Sequence, residues 1–367
     1  MEWINKYNSF NSLKGLSYYE NYKAIMRWMD GESYLPPPVE CNLDPYAECN
    51  LSCYFCIGQR YLKYNREEVG KMRQLPVDYM CNLVKFLAEW GVRGLCVSGG
   101  GEPSFHKDIP EVIRLAVHNG MDVAFVTNGT HLTDELAEAL MLCRWVSFSV
   151  DAAFRSTYRV VKGINRYNDV IGNITRLSVL RKESKSNVDL CFKFLILPEN
   201  STEIHLACQL AKELGVQDFH ARPVDFERPD MVGARPLPLD IVVIQEQLNG
   251  CHREETDDFH VYTVTHKYDS KFHVKHDFKS CLATPLVIPI LTDGNAYLCV
   301  DKKMESGFKI GSCCPNPYDV LKWWGSDAHR DLVKSVDINK CSRCTWSQYH
   351  QQVENVILKD KMCLSFP

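Results

Sequence analysis

The sequence predicts an α/β fold: a parallel sheet with helices on its outside, followed by a small α+β module. Three observations predict it. Short apolar segments alternate with amphipathic ones six times between residues 39 and 221, which is the pattern of successive βαβ units. The connections are short, and several place Gly or Asn-Gly where an element ends. From about Arg228 the alternation gives way to prolines, turns and cysteines.

Val39–Leu43 reads as a strand running into a cysteine loop. Met80, Leu83, Val84 and Leu87 recur at helical spacing, so Pro76–Trp90 is a helix stopped by Gly91. Leu95–Ser98 is an apolar strand ending in GGGEP. Ile109–Asn119 is a helix with Val112, Ile113 and Ala116 on one face. Val123–Thr127 is the third strand, closed by Asn128-Gly129, and Thr133 caps a helix whose first turn carries Asp134 and Glu135. Trp145–Val150 is a strand, Val170–Leu180 a helix, Leu190–Leu197 a strand, Ile204–Leu214 a helix and Val216–Ala221 the sixth strand. MVGARPLPLD is a proline-rich linker, and Asp240–Leu248 a candidate helix. In sheets of this kind ligands gather at the C-terminal strand ends. Those ends carry the cysteine loop, Gly100–Pro103, Asn128, Ser149–Asp151, Leu197–Asn200 and Arg222.

The 367 residues, 45% hydrophobic and 24% charged, are globular in composition and exclude disordered and fibrous classes. With 42 basic and 46 acidic residues the net charge is −4, which argues against a generic nucleic-acid binder. The start lacks a basic-then-apolar signal pattern, and the longest apolar run, Cys281–Leu291, is too short to span a bilayer. The expectation is a cytoplasmic protein with neither a nucleic-acid nor a membrane partner. Its 17 cysteines are too few for a disulfide scaffold and too many for an ordinary reduced chain, so some should bind metal or do chemistry.

Glu48–Gly58 reads ECNLSCYFCIG and sets Cys49, Cys53 and Cys56 at C-x3-C-x2-C. Three thiolates on one tight loop suit three irons of a [4Fe–4S] cluster, leaving the fourth iron open to a chelating molecule. A zinc site is the alternative on the residues alone, although structural zinc prefers four ligands. Further on, Cys281, Gly294 and Cys299 precede Cys341-Ser-Arg-Cys344, giving C-x12-G-x4-C and C-x2-C. Those four thiols suit either structural zinc or one [4Fe–4S] cluster.

The first spacing, with Phe55 as the aromatic residue before Cys56, resembles the radical S-adenosylmethionine (SAM) superfamily. Gly100-Gly101-Glu102-Pro103 matches the family's GGEP motif, and Asn128, Ser149 and Asp151 stand where its ribose and carboxylate contacts lie. Taken alone, Asn128-Gly129 is also a plain turn, and Ser149 or Asp151 a helix cap. The resemblance covers about residues 39–225 and implies a partial (β/α)6 TIM-like barrel. It implies that Cys49, Cys53 and Cys56 hold a SAM-binding [4Fe–4S] cluster, with Phe55, Gly100, Gly101, Glu102, Pro103, Asn128, Ser149 and Asp151 around the SAM. It further implies reductive cleavage of SAM to a 5′-deoxyadenosyl radical that removes a hydrogen atom from an unactivated C–H bond. The second cysteine set resembles the superfamily's auxiliary-cluster extensions, the SPASM and twitch domains. His350 stands where the longer SPASM pattern has its next cysteine, which favours one auxiliary [4Fe–4S] cluster on Cys281, Cys299, Cys341 and Cys344.

The expected organisation is therefore a helical extension over 1–38, the barrel over 39–227, a linker with connecting elements over 228–275, and the auxiliary-cluster module over 276–367. The expected partners are a polar small-molecule or peptide substrate and a reductase such as flavodoxin or ferredoxin. Arg222 is read as a contact for a substrate anion, a helper in deprotonation, or a salt bridge holding the linker. Lys193 contacts SAM if it faces inward. The histidines of residues 260–276 read as a solvated hairpin, and Cys313, Cys314 and Cys363 remain spare.

Overall fold

The computed structural model describes residues 12–58, 73–224, 239–265, 267–341 and 343–357. Six strands match the six expected: β1 (Glu40–Leu43), β2 (Gly94–Val97), β3 (Asp122–Thr127), β4 (Trp145–Ser149), β5 (Asp189–Ile196) and β6 (Asp218–Pro223). Each pairs in parallel with the next in sequence order. The helix α1 (Val77–Trp90) follows β1 and ends at Gly91, whose φ of 102° is the left-handed cap that glycine favours. Thr133 caps the helix Asp134–Leu140 by accepting from the Leu136 N–H at 3.1 Å.

The sheet is wider than the six strands expected. The helix Ile241–His252, capped by Asp240, leads into β7 (His260–Thr263), which lies parallel to β6. The segment 228–275 thus contributes a further helix–strand repeat. His260 belongs to a parallel strand and not to a solvated hairpin; an antiparallel bridge joins Tyr268 and Val274 farther on. At the other edge β8 (Val287–Ile290) pairs in parallel with β1, and β9 (Asn295–Tyr297) and β10 (Lys309–Ser312) continue antiparallel. The order is β10-β9-β8-β1-β2-β3-β4-β5-β6-β7, an open, partial barrel.

One face of the sheet is apolar. Leu43, Val97, Phe125, Phe148, Phe192 and Phe219 are buried there against the helices that carry Met80, Ile113, Leu136 and Ile174. Alternation sends Asn42, Ser98, Ser147, Lys193, His220 and Arg222 to the other face, the barrel interior. The N-terminal helix Tyr19–Met29 packs Tyr22, Ile25 and Trp28 against Leu282, Leu298 and Tyr349 of the C-terminal module. Trp28 Nε1 donates to the Gly325 carbonyl at 2.7 Å, and Trp324 meets Trp90 edge-on at 5.5 Å. Among the described residues no helix is long and apolar enough to cross a membrane.

Candidate functional site

Cys49, Cys53 and Cys56 lie on the loop beyond β1, at the C-terminal end of the sheet. The Cys56 N–H donates to the Cys53 carbonyl at 3.1 Å, and Ser52 N–H to the Lys162 carbonyl at 3.0 Å. Two donors approach the sulfurs: Gly58 N–H at 3.3 Å from Cys56 Sγ and Asn128 Nδ2 at 3.7 Å from Cys49 Sγ. Burial pushes the Cys49 thiol up to about 11 and the Cys53 thiol up to about 12, the Lys162 ammonium pulling Cys53 the other way. Binding a metal here must release those protons. Phe55 is buried with Val161, Leu197 and Val224.

The glycine-rich turn is laid directly on this loop. The Glu102 N–H donates to the Glu48 carbonyl at 2.7 Å, and the Gly100 N–H to Asp44 Oδ2 at 3.1 Å. A Cβ at Gly101 would stand 2.4 Å from the Tyr46 carbonyl, and one at Gly58 2.4 Å from the Gly100 carbonyl. Only glycine permits that backbone approach. The buried Glu102 carboxylate accepts from Thr127 Oγ1 at 2.6 Å, Asn128 N–H at 2.6 Å and Ser104 N–H at 3.0 Å. Much of its acceptor capacity therefore staples the turn to the end of β3, and Pro103 starts the short helical turn that follows.

Asn128 fills two roles. Its Oδ1 accepts from the Thr130 N–H at 2.9 Å, which makes the turn, while Nδ2 reaches Asn50 Oδ1 at 2.9 Å and Cys49. Ser149 ends β4 opposite Lys193 in the register. Neither Ser149 nor Asp151 caps the helix Arg155–Lys162, whose N-cap is Phe154. Asp151 instead takes a left-handed φ of 61° and receives Lys162 Nζ at 2.5 Å and the Leu195 N–H at 2.7 Å. Lys193 faces the interior, and burial lowers its pKa. Arg222 Nη1 donates to the Pro223 carbonyl at 3.4 Å and to Tyr268 Oη at 3.5 Å, so it braces the segment after β7.

The second cysteine set is assembled from three stretches of the C-terminal module. Cys281 precedes the turn Thr284–Leu286, Cys299 follows β9, and Cys341 and Cys344 follow the turn Ile338–Lys340. Burial is the main cause raising all four thiol pKa values, and neighbouring members of the set add to the rise in Cys281, Cys299 and Cys344. Asp301 ties the set together: it accepts from Thr345 N–H at 2.7 Å and pairs with Arg343 Nε at 2.7 Å, while its own N–H donates to Cys299 Sγ at 3.3 Å. Cys313 turns away, donating to the Gly294 carbonyl at 3.3 Å, and Cys363 lies outside the described residues. Among the described residues no three His, Cys, Asp or Glu side chains converge on a single ion; in a four-iron cluster each thiolate binds its own iron.

Residues 43–203 match the model of the radical SAM superfamily. The chain carries a radical SAM domain. Such a domain uses a [4Fe–4S] cluster and SAM; the three-thiol loop with N–H donors at sulfur fits the cluster, and Gly58 and Gly101 let the glycine-rich turn pack backbone to backbone on that loop. Curated relatives include a probable GTP 3′,8-cyclase of Metallosphaera sedula, 25% identical over 46% of this chain and 50% of that one. One of Pyrococcus horikoshii is 29% identical over 41% and 43%. The alignments thus span no more than about half of either protein. Streptococcus suis SuiB bound to SAM superposes with a TM-score of 0.65 at 15% identity, covering 93% of this chain and 79% of that one. The enzyme anSMEcpe bound to SAM and a peptide gives 0.58 at 14% identity, covering 86% and 88%. At these identities the likeness is one of fold.

Sequence reasoning missed Lys162, Asp301 and Asp44. Lys162 ends the helix Arg155–Lys162, on the same buried face as Tyr158 and Val161, and only the fold brings it to Asp151 and to within 5.6 Å of the Phe55 ring. Asp44, just past β1, holds both Gly100 and Lys303. Its place immediately after a strand was the available signal.

Proposed function

We propose that this protein is a radical SAM oxidoreductase acting on a polar small molecule of the sugar, cyclitol or nucleoside type, with a second cluster as electron acceptor. Bound at Cys49, Cys53 and Cys56, the first cluster would supply the electron that cleaves SAM to a 5′-deoxyadenosyl radical, which takes a hydrogen atom from the substrate. Gly100 and Gly101 would meet SAM through their backbone, Glu102 and Pro103 fix that turn, and Asn128 holds Asn50 and Cys49 in place. Ser149, Asp151 and Phe55 would complete the SAM site. Cys281, Cys299, Cys341 and Cys344 would hold the auxiliary [4Fe–4S] cluster, a four-thiolate shell without an open position and so suited to electron transfer. Arg222 would position the substrate. A flavodoxin or ferredoxin is the expected electron donor.

The observation that carries this reading is the backbone junction between Glu48 and Glu102 at 2.7 Å, which lays the glycine turn on the cysteine loop. The relatives named as probable GTP 3′,8-cyclases favour a nucleotide-like substrate. A peptide-modifying role is the second reading, because SuiB, a neighbour in fold, has been seen with its precursor peptide. Epimerisation or decarboxylation would use the same first steps. The test is deuterium tracking: candidate substrates labelled at C–H positions are supplied with SAM and reductant. Label entering 5′-deoxyadenosine from a sugar, cyclitol or nucleoside supports the reading; label entering only from a peptide replaces it with the second.

A further inference from the structure

The loop after β9 carries a lysine that reaches the glycine-rich turn from the C-terminal module. Asp44, just past β1, is fully buried, and its Oδ2 accepts from the Gly100 N–H at 3.1 Å and from Lys303 Nζ at 2.5 Å. Its Oδ1 accepts from the Ser98 hydroxyl at 3.3 Å. One carboxylate thus grips the turn at two points, and the module supplies its counter-charge. The loop that carries Lys303 is itself well fixed. Lys303 lies two residues beyond Asp301, which is tied to Thr345 and Arg343 of the knuckle. The next residue, Met304, takes a left-handed φ of 70°, a conformation that a non-glycine residue keeps only where its surroundings hold it. Met304 packs against the cluster of Ala47, Leu291 and Tyr297, so the loop meets the β1 side through an apolar contact as well as the ion pair.

A carboxylate taken out of water is costly unless it is paired and hydrogen-bonded. The Asp44 side chain is 0% exposed and that of Lys303 only 12%. Removing the lysine would strand the Asp44 charge, and a stranded charge turns toward water or takes up a proton. Either change disturbs the acceptor that holds the Gly100 N–H. Gly100 has little slack on its other side, because a Cβ at Gly58 would stand 2.4 Å from the Gly100 carbonyl. A displaced Gly100 therefore shifts against the cysteine loop, whose Gly58 N–H donates to Cys56 Sγ at 3.3 Å.

We propose that Lys303 is a positioning residue for SAM: acting through Asp44, it fixes the backbone of Gly100 on which SAM would rest. This rests on the radical SAM reading and adds a residue that the C-terminal module lends to the first site. The test is equilibrium binding of radiolabelled SAM to the anaerobically reconstituted protein without reductant, so that no SAM is cleaved. Lys303→Met should raise the SAM dissociation constant at least about tenfold, and Lys303→Arg should return it to within roughly threefold of the native value. Iron should stay at about eight per chain in both variants. Asp44→Asn keeps an acceptor for the Gly100 N–H and removes the charge; in that background Lys303→Met should weaken binding clearly less than in the native chain. After reduction, substrate-free SAM cleavage by Lys303→Met at saturating SAM should stay within roughly threefold of native, placing the loss in KM and not in kcat. An unchanged dissociation constant, a loss that Lys303→Arg does not recover, a loss that comes with missing iron, a cleavage rate that more SAM does not restore, or an equal effect of Lys303→Met with and without Asp44→Asn would overturn the proposal. A native protein that carries its full iron and binds no SAM would sink the radical SAM reading instead.

Discussion

Two buried carboxylates carry predictions at the level of single residues. Asp151 and Lys162 form an ion pair in which the side chains are only 1% and 3% exposed. Removing one member strands the other charge, so Lys162→Met should lower stability by about 3 kcal/mol, whereas the double variant Asp151→Asn/Lys162→Met should lose clearly less than the sum. Denaturant unfolding of the four proteins measures this; additive losses would show that the two do not act as a pair. Asp218, at the start of β6, has its pKa pushed up to about 8 by burial and by neighbouring Asp189. Its unfolded value is about 3.9. Between those two values the folded state holds a proton that the unfolded chain has lost, so the stability fully present below pH 4 is lost as the pH rises toward 8. Asp218→Asn should therefore raise the melting temperature by roughly 4 °C or more at pH 8, with a gain that shrinks toward pH 4. A gain independent of pH would contradict the burial argument.

At the scale of elements, Asp301 makes the clearest prediction because it links the loop after β9 to the Cys341–Cys344 knuckle. Asp301→Ala should lower anaerobically reconstituted iron from about eight to about four per chain, as one of two four-iron clusters is lost, while substrate-free SAM cleavage continues. Iron unchanged at eight would mean that the knuckle holds without it. How far such elements were legible varied with their physics. The strands β2 to β5 were readable because each carries an apolar stretch that ends near a turn, β1 and β6 because Cys41 and Leu43, and Phe219 and Ala221, alternate with polar residues, and α1 because Met80, Leu83, Val84 and Leu87 sit on one buried face. The strand β7 was missed because His260–Thr263 is short and half polar, and only its register against β6 makes it a sheet strand. The strand β8 was noticed as an apolar run but not as a strand, since Pro289 removes a backbone donor. The Leu286 and Ile290 carbonyls accept from Val39 and Asp44 of the β1 side, so alternation turns Pro289 away from β1. The cysteines were legible through spacing, whereas Lys162 and Asp301 depend on contacts between residues distant in sequence.

For the molecule as a whole, the C-terminal module is part of the barrel and not an appendage. Its strand β8 covers the β1 edge, and its Lys303 reaches Asp44 at 2.5 Å, against the same carboxylate oxygen that holds the Gly100 N–H at 3.1 Å. The N-terminal helix packs on that module through Trp28 and Tyr22. Ending the chain at residue 275 should bare the β1 edge and the apolar face of the N-terminal helix, giving aggregated protein on size-exclusion chromatography; a monodisperse monomer would show that the barrel stands alone. Radical chemistry in this protein requires that the loop of Cys49, Cys53 and Cys56 bind a cluster with one iron left for SAM. The most direct measurement is 5′-deoxyadenosine formed from SAM by the anaerobically reconstituted, chemically reduced protein, compared with its Cys53→Ala variant. Formation by the native chain and none above background by the variant is expected; equal amounts from both, or none from the native chain carrying its full iron, would overturn the assignment of this loop.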